Sequence, residues 1–368
     1  MLAKLLIRLM IAGVTLPFAA SEPALSKTLD GDAHQVGPVQ SRSIYWVGHS
    51  LVEGKAPIDG EDMNLMTLLA RFVAARGQAY TAGDHTRWGS SLAALWRGSP
   101  HSYRFDPAAG MEMVRQRFES EASRYDALVA TEVLPLRPAL RAEFSSFYLR
   151  RFACALLNAN PSARIYLYET WVPLNGGEKG GPSYSRAQWR QDMLEQRRDW
   201  EQLADEAMRA RVRSPGWLSR IGLSTGDGGC PDVGRIYTVP VGRAFLALAD
   251  RLAGPTLDEF RRPDGARLTV EDLYLNPYVA APTATGGAAA PRDPTRPVDD
   301  IHMGSVGLYL SALVHYATLY RQSPVGLPPL AAIGPEASHA LQCLAWETVL
   351  SLPTTGVSGT AVCRNMTK

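Results

Sequence analysis

The sequence predicts a single α/β domain built on a central, mostly parallel sheet of about five strands with helices on both sides. Three observations carry this. Short runs rich in β-branched and aromatic residues alternate with longer stretches whose apolar residues recur at helical spacing, and such alternation means parallel strands joined by crossover helices. A length of 368 residues fits one large domain with an ample core. The composition, 46% hydrophobic and 20% charged, is that of an ordinary soluble globular protein.

The first 21 residues read as a secretory signal and predict a periplasmic or secreted protein. Lys4 and Arg8 supply the positive start, Leu9 to Ala20 is apolar but too short to span a bilayer, and Ala19, Ala20 and Ser21 form a small-residue cleavage zone. An uncleaved anchor is the alternative, against which Gly13, Thr15 and Pro17 argue. Residues 22–42 read as a flexible polar leader. Ile44–Val47 is the first strand. Asn64–Ala75 reads as a helix through Leu65, Leu68, Leu69 and Phe72, and Gln78–Ala82 as a short strand. A helix over Met111–Ala122 precedes an apolar strand at Asp126–Thr131. Pro138–Ala159 reads as one long helix with the proline in its first turn.

Arg164–Tyr168 is the next strand, and residues 172–185 form a Gly-rich loop at its exit. Arg186–Arg211 is a long charged helix with Trp189, Met193, Trp200 and Leu203 on its apolar side. A strand at Arg235–Val241, a helix at Ala244–Leu252, a mobile Ala/Pro-rich insert at 280–297, and helices at Ser305–Tyr320 and Glu336–Leu350 complete the chain. The domain spans 43–322, with 323–368 as a C-terminal helix and tail packed on it. No later segment is long and apolar enough to cross a membrane.

The full chain carries 38 Lys and Arg against 36 Asp and Glu. Loss of the signal removes Lys4 and Arg8 and no acids, which leaves a formally neutral protein. Nucleic acid requires a basic face, which this balance does not supply. A neutral or weakly charged substrate is the better match. Four cysteines, Cys154, Cys230, Cys343 and Cys363, permit two disulfides in an exported chain, and their spacing matches no zinc pattern. Cys343 and Cys363 are placed to staple the tail to the last helix. Cys154 shares a helical face with Phe147 and Leu157, where a free buried thiol is equally consistent.

The chemistry gathers at two ends of the chain. Ser50 follows an apolar strand that runs into Gly48, which places a hydroxyl at the C-terminal tip of a parallel strand, where ligands collect in such sheets. A serine needs a base to take its proton and a third group to hold that base in the right tautomer. Asp299-Asp300-Ile301-His302 supplies both: an Asp three residues before a His, in a turn just ahead of a helix, can hold Nδ1 and leave Nε2 facing a serine.

In these features the chain resembles the SGNH, or GDSL-type, serine hydrolases. Gly48-His49-Ser50-Leu51 is similar to the family's first block, Gly-Asp-Ser-Leu, with His49 in place of the aspartate, and Asp299-x-x-His302 is similar to the last. Gly89, in Trp88-Gly89-Ser90-Ser91-Leu92, is placed as the glycine block. The Asn of the remaining block should follow the third strand, but Leu128-Val129-Ala130-Thr131-Glu132-Val133 has none, and Glu132 holds its place. The resemblance spans about residues 43–322. It implies a flavodoxin-like three-layer α/β/α domain and an esterase without metal or organic cofactor. Ser50 is then the nucleophile, His302 the general base and Asp299 its orienter. The N–H groups of Ser50 and Gly89 form the oxyanion hole, with Glu132 at the third donor's place. An ionised Glu132 would repel the oxyanion, so it is protonated, points elsewhere, or leaves the hole with two donors.

His49, His85, Trp88 and Trp171 are the expected substrate contacts. Trp171, at the exit of the fourth strand, would be an exposed indole for a sugar ring or acyl chain, and His85 and Trp88 flank Gly89. With export and neutral charge, the resemblance implies a small-molecule or glycan ester, O-acetylated carbohydrate first and lipid ester next. Acetyl transfer to a polysaccharide by the same triad, and saccharide binding on a degenerate hydrolase fold, remain open alternatives.

Overall fold

In the computed structural model, the described residues are 38–98, 111–176, 184–209, 232–254, 258–276, 299–360 and 363. The chain enters the fold at strand β1 (Ser41–Gly48), makes a one-turn helix α1 (Ser50–Glu53), and then a small hairpin of β2 (Ala56–Ile58) and β3 (Glu61–Met63). Helix α2 (Leu65–Ala75), β4 (Ala79–Thr86), α3 (Leu92–Arg97), α4 (Met111–Glu121) and β5 (Ala127–Ala130) follow. Next come α5 (Ser145–Ala159), β6 (Arg164–Glu169), α6 (Arg186–Met208), β7 (Ile236–Pro240) and α7 (Val241–Leu252). A second small hairpin, β8 (Tyr274–Asn276) with β9 (Asp299–Met303), leads into α8 (Ser305–Tyr320) and α9 (Gly334–Leu350).

Strand alternation explains the two helical layers. Successive strand side chains point to opposite faces. Ile44, Trp46, Ala127, Val129, Tyr166 and Tyr168 enter one apolar cluster, shared with α2, α7, α8 and α9. Tyr45, Val47, Leu128, Ala130, Ile165 and Leu167 enter the other, shared with α3 and α5. Helix α6 contributes Trp189 and Met193 to the first and Trp200 and Leu203 to the second. The five strands pair in the order β4-β1-β5-β6-β7, all parallel. This is the expected three-layer α/β/α architecture. Connection direction reverses at β1, so the C-terminal ends of β1 and β5 flank the crevice where such sheets bind ligands.

The structure departs from the sequence reading in three places. The long helix over 138–159 is broken: a wound segment ends at Phe144, whose left-handed φ of 57° cannot continue a helix, and α5 starts afresh at Ser145. Asp299–His302, expected in a turn, lies in β9 instead, paired antiparallel with β8 in the register Tyr274 to Met303 and Asn276 to Asp299. This pairing is non-local and leaves no sequence signal. Thirdly, the leader does not run to residue 42, because Ser41 and Arg42 already belong to β1. Arg42 is held by Leu319 O at 3.1 Å and Asp126 Oδ1 at 3.0 Å.

Helix α9 shares the core of α8 through Leu341, Leu344 and Trp346. Cys343 is disulfide-bonded to Cys363, and Cys154 is disulfide-bonded too, which excludes the free-thiol alternative. Cys230, the signal segment, the insert at 280–297 and most of the Gly-rich loop lie outside the described residues. Among the described residues no helix is long and apolar enough to cross a membrane.

Candidate active site

Ser50 is the first residue of α1, just past the end of β1. The turn is set by Gly48, whose added Cβ would meet Thr131 Cγ2 at 2.8 Å and Val52 Cγ2 at 3.0 Å. A side chain there would push α1 off the end of β5, so the close approach needs glycine. The short helix closes with Gly54 N–H donating to Ser50 O at 2.7 Å. Ser50 is buried, and among the described residues its hydroxyl makes no hydrogen bond. As the first helical residue, Ser50 has a backbone N–H without an intrahelical acceptor.

His302 sits on β9, which packs beside α1. Asp299 binds its Nδ1 with both carboxylate oxygens, at 3.0 and 2.9 Å, and Asp299 Oδ1 also accepts the His302 backbone N–H at 3.0 Å. Burial pushes the Asp299 carboxyl up, but the hydrogen bonds and charge of His302 outweigh it and hold Asp299 below its ordinary value. The ring's Cδ2 edge would lie 3.8 Å from a Cβ on Gly54, the residue that caps α1. Its face packs on the Trp88 indole, with centroids 4.9 Å apart and planes 37° apart.

The β9 strand is pinned from behind. Trp171 Nε1 donates to Ile301 O at 2.9 Å, Leu174 N to Asp300 O at 2.8 Å, and Asn175 N to Asp300 Oδ2 at 2.8 Å. After His302 the chain passes directly into α8, which is buried from Val306 to Tyr320. Neighbouring aspartates thus divide their work: Asp299 holds the imidazole, and Asp300 holds the strand.

Gly89 lies in the β4–α3 turn with φ of 64°, a left-handed position that favours glycine. Arg87 N–H donates to Gly48 O at 3.0 Å, which ties this loop to the end of β1. Glu53, on the helix that Ser50 starts, accepts from Thr86 Oγ1 at 3.1 Å and from the Trp88 N–H. Burial raises the Glu53 carboxyl above its ordinary value, and these two donors oppose that rise.

Four of the residues expected to contact oxyanion or substrate are placed otherwise. Glu132 is 0% exposed, and its Oε1 accepts from Leu92 N at 3.1 Å and Val133 N at 2.7 Å. It is a buried acceptor at the start of α3, where helix-end N–H groups favour a carboxyl, and not an oxyanion donor. Burial pushes it up to about 7, while the Ser145 hydroxyl and the two N–H groups pull down and Glu143 pushes up. His49 is also buried: Nε2 bonds Glu132 O at 3.0 Å and Nδ1 accepts from Leu51 N at 3.4 Å, so it caps α1 as a neutral ring. Burial lowers it to about 4, opposed by the bond to Glu132 and reinforced by His302.

His85 packs inward against Phe152, at 5.9 Å between centroids, because β4 alternation turns it into the α3/α5 layer. Trp171 is 0% exposed and stacked on Phe245 at 4.4 Å, so it braces the His302 strand from the core instead of facing a ligand. Trp88 alone of the expected contacts is open to solvent. Sequence reasoning missed the holding roles of Asp300, Glu53 and Thr86. Only Glu53 had a visible signal, being three residues after Ser50 on one helical turn.

No family model matches the chain, and no curated protein matches it. Among solved structures, it is similar to a DUF4886 family protein from Bacteroides uniformis, at 13% identity and a TM-score of 0.45, covering 84% of this chain and 95% of that one. A lipase/acylhydrolase from Enterococcus faecalis matches at 14% identity and a TM-score of 0.33, covering 78% and 98%. A putative GDSL-like lipase from Parabacteroides merdae matches at 14% identity and a TM-score of 0.32, covering 59% and 85%. The strand order β4-β1-β5-β6-β7 and its all-parallel pairing define the fold of this chain.

Proposed function

We propose that this protein is an exported serine esterase of the SGNH type that hydrolyses carboxylic esters, with O-acetyl groups on carbohydrate as its substrate class. The observation that carries the reading is the bidentate Asp299–His302 pair beside the helix that begins at Ser50, at the switch point of the sheet. Ser50 Oγ attacks the ester carbonyl as its proton passes to His302 Nε2. Asp299 holds the ring in the tautomer that leaves Nε2 available and stabilises the imidazolium. The N–H groups of Ser50 and Gly89 hold the oxyanion. The alcohol departs with the proton from His302, and water then attacks the acyl-enzyme with His302 again as base.

The Ser50–His302 hydrogen bond forms with substrate, since catalytic contacts are often open in the free enzyme. With Glu132 turned to α3, two backbone donors carry the oxyanion, and a missing third donor costs about 2.7–4 kcal/mol of barrier. Export is supported by the N-terminal signal pattern and by the Cys343–Cys363 disulfide, a bond that persists in oxidising compartments. The test is hydrolysis of p-nitrophenyl acetate and of acetylated sugars by the wild type and by Ser50→Ala. Activity confined to the wild type is expected, and equal rates from both overturn the reading.

Glu132 in the asparagine's place favours one second reading, a saccharide-binding protein on this fold without turnover. It is distinguished by glycan binding together with failure of a fluorophosphonate to label Ser50.

A further inference from the structure

Trp88 is 47% exposed, the more exposed of the two large apolar side chains open to solvent among the described residues. Its backbone is fixed on three sides. Arg87 N–H is bound to Gly48 O at 3.0 Å, Ser90 N–H to Arg87 O at 3.1 Å, and the Trp88 N–H to the Glu53 carboxylate. Gly89 supplies the left-handed turn that follows. The fold thus holds a large apolar ring in water against the face of His302.

We propose that Trp88 is the specificity-determining platform for the alcohol half of the ester and selects alcohols with a broad C–H face, a pyranose ring above all. This rests on the esterase reading above. In such a reaction the imidazole must deliver its proton to the departing alcohol oxygen, so the leaving group lies against His302. A ring packed at a tilt against His302 therefore borders the alcohol, whereas the acyl carbonyl lies toward the Ser50 and Gly89 N–H groups. An indole offers wide, rigid apolar area at little entropic cost, which suits the C–H face of a sugar or an aryl ring and adds little for an alcohol of one or two carbons. Trp171, which the sequence offered for this role, is sealed in the core.

The experiment compares two acetyl esters with the same acyl group, ethyl acetate and glucose pentaacetate, in the wild type, Trp88→Ala and Trp88→Tyr. Trp88→Ala is expected to lower kcat/KM for the sugar ester about tenfold more than for ethyl acetate, the difference lying mostly in KM, which is the range one aromatic contact supplies. Trp88→Tyr is expected to recover most of the loss. Equal loss on both esters, or no loss on either, overturns the proposal. A second arm needs no turnover: binding of glucose pentaacetate by Ser50→Ala against Ser50→Ala/Trp88→Ala. A binding loss of about tenfold upholds the platform even if the protein proves not to be an esterase, and equal affinity, or binding by neither protein, overturns it.

Discussion

The two sides of Ser50 are built by opposite means. On the base side, Asp299 and His302 are three residues apart on one short strand, partly open to solvent, and braced from behind by Trp171, Asp300 and α8. On the oxyanion side, Glu132 and His49 are fully enclosed and join three separate loops: Glu132 reaches the start of α3, and its carbonyl takes the His49 ring that caps α1. Local spacing makes the first side. Burial of a carboxyl and an imidazole makes the second. On the proposed reading the first moves a proton, while the second holds loops at fixed separation.

The sharpest test of that contrast lies between adjacent aspartates. Asp299→Asn removes the charge on His302 Nδ1 and presents an amide to it, so kcat is expected to fall about 10³-fold or more with KM little changed. Asp300→Asn still offers an oxygen to the Asn175 N–H, and a loss of less than about tenfold is expected. Steady-state kinetics on both variants decides it, and similar losses would mean that the two carboxylates do not divide orientation and support.

The enclosed side should reveal itself in stability against pH. Glu132 is raised in the folded state to about 7, from an ordinary value of 4.5. Between those values the folded protein binds more protons at this site than the unfolded chain, so its contribution to stability falls as pH rises and is flat above about 7. Relative to Glu132→Gln, the wild type should lose up to ~3 kcal/mol across that window, read by urea unfolding at pH 4.5, 6 and 7.5. Buried His49, His85 and His315, each lowered to about 4 chiefly by burial, act in the other direction. Their contribution is lost as pH falls from 6.5 through 4, and it cancels in the comparison of the two proteins.

A smaller effect tests the brace. Trp171→Phe keeps the stack on Phe245 but removes the donor to Ile301 O. About 1 kcal/mol of stability should be lost, together with a modest fall in kcat at unchanged KM. A rise in KM alone would return Trp171 to the role of a ligand contact.

The Asp299–His302 contact was legible in the sequence because it is local, between residues three apart, and Ser50 follows a strand written in consecutive apolar residues. The strands themselves were legible for the same reason. The oxyanion side was not, because the direction of Glu132 depends on where α3 starts relative to β5, a distance in space that no local pattern records. Trp171 was misread likewise: strand-end position suggests an open edge, but α7 covers it with Phe245. The break at Phe144 escaped because the helical apolar spacing continues through it.

Covalent labelling tests the central claim most directly. A fluorophosphonate probe incubated with the purified protein, followed by peptide mapping, should modify Ser50 stoichiometrically. The adduct should be absent from Ser50→Ala and form far more slowly in His302→Ala. Labelling of Ser50 at the same rate with and without His302, or no labelling of the wild type, would contradict a nucleophile activated by the Asp299–His302 pair.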